Sequence, residues 1–343
     1  MPFTDLPQPF LRSEALTHGS SSRRIDLALR RGELTRVAAG VYAVTTSWSR
    51  LPWERHLALA RAAVRCTPDA IVSHSSAAAL LGLPMPPRPP ERATMTLLDD
   101  RRTSEDDGWR LFHRGRTPPE QIVLDEARPY LIPSRTVVDC MREMRPGDAL
   151  AVLDAALRSG MATGVDLVKM RRHQRRWPGI AAADQILRIG DGRRESWFES
   201  TSAWVMCAWG VPPGIPQVVV TDSSGRFVGR VDSLWPELGV VGEADGRGKY
   251  LPDVPGDGAL DEVAAQAVIA QSVRETRLRD LGLEVVRWDP RDLATPLTVV
   301  ERFHAATRRA RPGLVTARYR CSCCRRPLTD CGSPTRIAGL RAA

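Results

Sequence analysis

Two short segments ending in carboxylates constrain this chain more than any other feature. Arg230-Val-Asp232 is followed eleven residues later by Glu243-Ala-Asp245-Gly-Arg-Gly-Lys249. Side chains alternate along a strand, so Val241, Glu243 and Asp245 share one face while Val240, Gly242 and Ala244 share the other. The small residues of the second face suit close packing beneath a helix. On the first face Glu243 follows directly on an apolar run, where a carboxylate without a partner is costly. Two resolutions are open. The acids pair with Arg230, Arg247 or Arg274 at a sheet edge, or they converge on a shared cation. Mg²⁺ (or Mn²⁺) suits the second, because it takes oxygen ligands from one or two carboxylates together with phosphate oxygens. This pattern points to phosphodiester chemistry, with Asp232, Glu243, Asp245 and Lys249 as the candidate catalytic set.

The elements around these acids give them a setting. Glu195–Trp209 reads as a helix, 217–221 and 227–232 as strands joined by a tight turn at Asp222-Ser-Ser-Gly225, and 238–245 as a third strand. A long helix over 260–281 and a strand over 284–288 follow, then a helix over 296–309. The order α-β-β-β-α-β predicts a mixed sheet flanked by helices across 190–304. Glu199, on the first of these helices, would join Asp232 and Glu243 as a metal ligand. Arg274 and Arg277, on the long helix, are candidate phosphate contacts.

Residues 1–48 carry a different pattern. A short helix at 10–16 breaks at Gly19-Ser-Ser-Ser22, where serine can cap a second helix from Arg23 to Arg31. Strands at 34–37 and 41–44 flank Ala38-Ala-Gly40, a hairpin signal. Two helices across a short break and then a hairpin describe a winged helix-turn-helix. Arg23, Arg24, Arg30 and Arg31, with Arg36 on the hairpin, would then face double-stranded DNA. A small packing domain of the same shape is the other reading.

Residues 54–188 read as a mixed, mostly helical middle domain. His74 and His113 lie in it without a metal-ligand spacing, so they are taken as ordinary core or surface residues. The run Arg171-Arg-His-Gln-Arg-Arg176 is either a phosphate contact or a solvated helix end.

Charge is unevenly spread. Residues 305–343 hold nine arginines and one acid, which accounts for nearly all of the net charge of +9. This tail is read as disordered, with sequence-independent attraction to phosphate as the alternative. Cys321, Cys323, Cys324 and Cys331 offer four thiols to zinc, but Cys-x-Cys-Cys is an irregular spacing, and an unstructured tail is the expectation. With 47 arginines against two lysines, a lysine at 249 stands out, since an ammonium is a compact point charge. No apolar run reaches the roughly 18 residues of a membrane span, and no secretory signal pattern opens the chain. Seven scattered cysteines fit a reducing compartment, so a cytoplasmic location is expected, with no membrane partner.

The segment from Arg194-Glu195-Ser196 through Asp232, Glu243-Ala-Asp245-Gly246, Lys249-Tyr250, Arg274-Glu275 and Val285-Val-Arg-Trp288 resembles the Vsr-like branch of the PD-(D/E)xK endonuclease fold. Residues 1–150 resemble the AbiEi-type antitoxin region of type IV toxin–antitoxin systems, through Gly40-Val-Tyr42, Ser73-His-Ser-Ser-Ala-Ala78 and Ser134-Arg-Thr-Val-Val-Asp139. The fused layout is similar to that of uncharacterised actinobacterial proteins. The first resemblance implies a restriction-endonuclease-like domain with Asp232 and Glu243 as metal ligands and Glu199 as the acid of its first helix. The family pattern places lysine two residues after the second acid, where this chain has Asp245, so Lys249 would have to supply the basic group. Together the resemblances imply an α+β, multidomain DNA-binding protein with a Mg²⁺-dependent endonuclease domain. The alternative is a non-enzymatic, antitoxin-like regulator with an inactive nuclease fold and a cognate nucleotidyltransferase-like toxin as partner.

Overall fold

The computed structural model describes residues 3–98, 107–123, 129–246 and 258–331. Among these, helices and three sheets mix in an α+β arrangement, and the chain divides into two compact units. The first comprises residues up to 144 together with 166–180. The second comprises 145–165 and 181 onward.

The first unit begins with β1 (Phe10–Leu11), α1 (Arg12–Thr17), α2 (Ser22–Arg30), β2 (Leu34–Ala38) and β3 (Val41–Val44). Ser21 caps α2 by accepting from the Arg24 amide at 3.2 Å, and Gly32, at φ +71°, lets the chain turn away from its end. The helix buries Ile25 and Ala28 and leaves Arg23, Arg24 and Arg30 in solvent. The 10–16 segment expected as one helix splits, because Phe10 and Leu11 pair with Tyr42 and Val41 to complete an antiparallel β1-β3-β2 sheet. Phe3, Phe10, Ile25, Leu34 and Tyr42 fill the core beneath.

The unit continues with α3 (Pro52–Cys66), β4 (Ala70–Val72), α4 (His74–Leu80), β5 (Ala93–Leu97), β6 (Arg110–His113), β7 (Ile122–Val123), β8 (Tyr130–Leu131) and α5 (Pro133–Glu143). Its five strands form a mixed sheet in the order β6-β5-β4-β8-β7. The Ser134–Asp139 motif turns inward: Arg135 donates to Asp139 at 2.7 Å and to Gln121 at 2.6 Å, while Gln174 donates to Asp139 at 2.9 Å. Satisfying a buried arginine in this way makes those motif residues part of the packing.

Next come α6 (Pro146–Arg158), which belongs to the second unit, and α7 (Gly164–His173), which belongs to the first. The sequence groups α6 with the middle domain. In the structure it lies against α9 (Trp197–Ala208), after α8 (Ile180–Ile189), with Gly147 meeting Thr201. Buried polar groups fix that packing. Asp154 on α6 accepts from the Asp191 amide at 2.7 Å, Arg194 at 2.9 Å and the Ser200 hydroxyl at 2.8 Å.

The second unit then runs through β9 (Ile215–Thr221), β10 (Phe227–Trp235), β11 (Val240–Ala244), α10 (Gly258–Asp280), β12 (Glu284–Trp288), α11 (Pro296–Arg309) and β13 (Arg318–Cys321). The expected α-β-β-β-α-β order is present, in a sheet ordered β12-β11-β10-β9-β13. β9, β10 and β11 pair antiparallel, and α10 carries the chain over to the parallel strand β12. Alternation sorts the two faces of β11 and β12. Val241 and Val285 pack with Leu278 of α10, while Val240, Val286 and Trp288 pack with Val299 and Phe303 of α11. A Cβ at Gly242 would come within 2.7 Å of the Trp288 ring, so only glycine fits there.

The tail does not remain disordered through residue 331. Arg318–Cys321 pairs antiparallel with β9 and forms the outer strand of the sheet. Residues 332–343 lie outside the described residues. No described helix is long and apolar enough to cross a membrane.

Candidate active site

Glu243 and Arg287 are register partners on β11 and β12, on the side of the sheet that carries α10. Glu243 is 4% exposed, and Arg274 of α10 donates to its Oε2 at 3.0 Å. Its Oε1 is buried with no hydrogen-bond partner among the described residues. Burial pushes the Glu243 carboxyl up to about 7, with Arg274 opposing and the nearby Asp232 charge reinforcing the shift.

Asp232 stands next to it on β10, inside the strand, which continues to Trp235; the expectation that the strand ends at Asp232 is corrected. Its Oδ2 accepts from the Ala244 amide at 2.8 Å. Gln217 of β9 donates to Asp232 Oδ1 at 3.2 Å and to Glu199 at 2.8 Å, bridging the two acids. Gln217 takes φ +52°, a conformation rare for a side-chain-bearing residue, and its own Oε1 is buried without a partner among the described residues. Glu199 reaches this point at the capped start of α9: it accepts from Ser196 Oγ and the Glu195 amide, while Ser196 Oγ accepts from the Glu199 amide. Burial raises the Glu199 carboxyl as well.

The remaining candidates fall into place unevenly. Asp245 is held by Arg287 through two bonds of 2.8 and 2.9 Å. Arg277 and Arg274 line a cleft of about 350 Å³ together with Asp232, Glu243 and Gly229. Arg230 turns to Glu195 at 2.7 Å. Lys249 lies outside the described residues. Glu199, Asp232 and Glu243 do not draw their oxygens within 4.8 Å of one another as a set of three. Glu243 Oε1, without a partner among the described residues, nonetheless gives a divalent cation a ready donor in the cleft that Asp232 also lines.

Sequence reasoning missed Gln217 and Arg287, which look like ordinary strand residues, and it set aside two further groups that the structure assembles. His74, at φ +50°, stacks on His113 with ring centres 3.7 Å apart, and both rings lie 3.2 Å from Glu143. The two histidines hold the Glu143 carboxyl far below its usual range against the opposing effect of burial. The four C-terminal thiols converge with their sulfurs within 4.8 Å of one another. Of the basic run, Arg172, His173, Arg175 and Arg176 border a cleft of about 360 Å³ with Arg116 and Trp177. Arg23, Arg24, Arg30, Arg31 and Arg36 are all exposed.

No family model matches the chain. It is 37% identical over 111 residues to two uncharacterised proteins of Mycobacterium tuberculosis, named MT2308 (strain CDC 1551 / Oshkosh) and Rv2248 (strain H37Rv). The match takes in 32% of this chain and spans 41% of the length of those relatives. Among solved structures, the crystal structure of the RV2827C protein from the same organism is similar at a TM-score of 0.36 and 18% identity, covering 53% of this chain and 72% of that one.

Proposed function

We propose that the chain binds duplex DNA and that its second unit hydrolyses phosphodiester bonds with a divalent cation, Mg²⁺ or Mn²⁺. One observation carries this reading: the buried Glu243 and the half-buried Asp232 line one cationic cleft, and Glu243 Oε1 has no hydrogen-bond partner among the described residues. Asp232 and Glu243 would hold the ion, with Glu199 as the acid behind them. When bound, Mg²⁺ supplies a Lewis acid for a phosphoryl oxygen and lowers the pKa of its water. Gln217 fixes the Asp232 carboxylate against Glu199. Arg274 and Arg277 bring positive charge to the cleft wall, where a phosphate would be bound. The resemblance to a Vsr-like PD-(D/E)xK domain agrees with this order of strands and acids. The resemblance of residues 1–150 to an AbiEi-type antitoxin region gives α2 the role of the DNA-reading helix.

A second reading has its own observation. Asp245 occupies the position of the family's lysine and is locked to Arg287, which favours an inactive fold in an antitoxin-like regulator with a nucleotidyltransferase-like toxin as partner. Incubating supercoiled plasmid with the protein separates the two. The nuclease reading expects Mg²⁺-dependent nicking, abolished by chelator and reduced roughly 100-fold or more in Glu243→Ala. Intact plasmid at every metal and topology sinks that reading and leaves the regulator, whose operator binding would then be measured.

A further inference from the structure

The segment that closes the described chain has too little apolar surface to hold itself in place. Tyr319 and Leu328 pack against the sheet core, and Cys321 is buried, but Cys323, Cys324 and the arginines around them are exposed. Short elements of this kind normally need a disulfide or a metal. The sulfurs do not sort into disulfide pairs. Cys321 Sγ lies 2.9 Å from Cys323 and 3.2 Å from Cys331, and Cys323 lies 3.6 Å from Cys331. All exceed a disulfide bond of about 2.05 Å. All four sulfurs lie within 4.8 Å of one another, a spread that brackets the sulfur–sulfur edge of about 3.8 Å that four Zn–S bonds of about 2.3 Å would set in a tetrahedron.

The backbone is shaped around the same point. Cys321 and Cys324 are separated by two residues, a knuckle spacing that the intervening Cys323 obscures in the sequence. The Cys321 amide donates to the Arg326 carbonyl and the Arg325 amide to the Cys321 carbonyl, both at 2.9 Å, with Arg325 at φ +57° completing the turn. The amides of Cys323 and Cys324 and the buried guanidinium of Arg193 favour the charged form of the Cys321 thiol. Donors aimed at a sulfur stabilise a thiolate, and such outer contacts orient metal ligands.

We infer that Cys321, Cys323, Cys324 and Cys331 form a structural zinc site that folds the C-terminal segment and holds β13 on the edge of the sheet. The site is closed, with four protein sulfurs and no position left for substrate. Its consequence for the rest of the unit is local. Cys321 pairs with Val218, the residue after Gln217, so the ion anchors the strand that carries Gln217. The inference stands apart from the nuclease reading and does not need it.

Zinc content of the full chain, purified under reducing conditions without chelator, tests it. We expect about one zinc ion per chain, retained in a Cys207→Ser control and lost in Cys324→Ser and in Cys323→Ser, whose side chains are exposed. Hydrogen exchange of the β9 and β13 amides should accelerate on zinc removal and recover on its return. A chain that carries no zinc and takes up none on reconstitution, with its thiols free, overturns the site. So does retention of full zinc stoichiometry by both serine variants.

Discussion

Replacing Glu243 with glutamine should make the metal-free protein more stable at alkaline pH, at the expense of the proposed function. The carboxyl moves from an ordinary value of 4.5 to about 7 in the folded chain because burial opposes its charge. Between those values the native state binds more protons than the unfolded state, so stability falls as pH rises through the window and levels off above it. A shift of this size corresponds to roughly 3 kcal/mol for a side chain so deeply buried. Glutamine keeps the shape and an acceptor for Arg274 but cannot ionise. Wild type and Glu243→Gln should therefore match below about pH 4, and the variant should lead by roughly 3 kcal/mol near pH 8. Urea titration read by hydrogen exchange on β10 and β11 peptides, in chelator, isolates the unit that carries the substitution. A wild type whose stability is flat across this range, or a variant that is weaker near pH 8, would refute the assignment of a carboxyl whose charge burial opposes more than Arg274 supports it. Adding Mg²⁺ near pH 8 should narrow the gap by stabilising wild type alone, by about 2.7 kcal/mol at a hundredfold excess over its dissociation constant.

Three other outcomes follow from the geometry. Gly242→Ala drives a methyl into the Trp288 and Trp235 rings, at 2.7 and 3.0 Å, and should cost about 1–3 kcal/mol in the same exchange measurement. Asp154→Asn leaves the buried Arg194 guanidinium without its counter-charge and should cost about 3–5 kcal/mol; a loss below about 1 kcal/mol would mean that solvent reaches the network. If α2 lies on DNA, Arg23→Ala with Arg24→Ala should lower the steepness of log affinity against log salt by about 1.8, and an unchanged slope would place the DNA contact elsewhere.

Much of the second unit was legible because its signals are periodic. Val240 and Val241 alternate into opposite cores, and the strand over 284–288 and the helix over 296–309 fall where apolar spacing puts them. The acids at 232 and 243 were legible as expensive residues in apolar company. Their neighbours were not. Arg287 is one charge inside Glu-Val-Val-Arg-Trp, and only the parallel register with β11 shows it beside Glu243. Gln217 announces nothing until its backbone turns to positive φ. Glu199 did carry a signal, since Ser196-x-x-Glu199 has the capping-box spacing, but that signal concerns helix initiation and says nothing of Asp232. His74, His113 and Glu143 come from α4, β6 and the end of α5, and no spacing rule links three residues so placed.

The parallel pairing of β11 with β12 also sets an order of events as the chain folds. The acidic half of the cleft closes over short loops: Asp232 meets Ala244 across 12 residues, Gln217 meets Asp232 across 15 and Glu199 meets Gln217 across 18. The cationic half comes from farther away, with Arg274 reaching Glu243 across 31 residues and Arg287 reaching Asp245 across 42. Loop closure slows as contacts become less local, so the carboxylates gather before their counter-charges arrive. A chain halted before α10 docks therefore holds a knot of mutually repelling acids, and the helical crossover that completes the sheet also neutralises it.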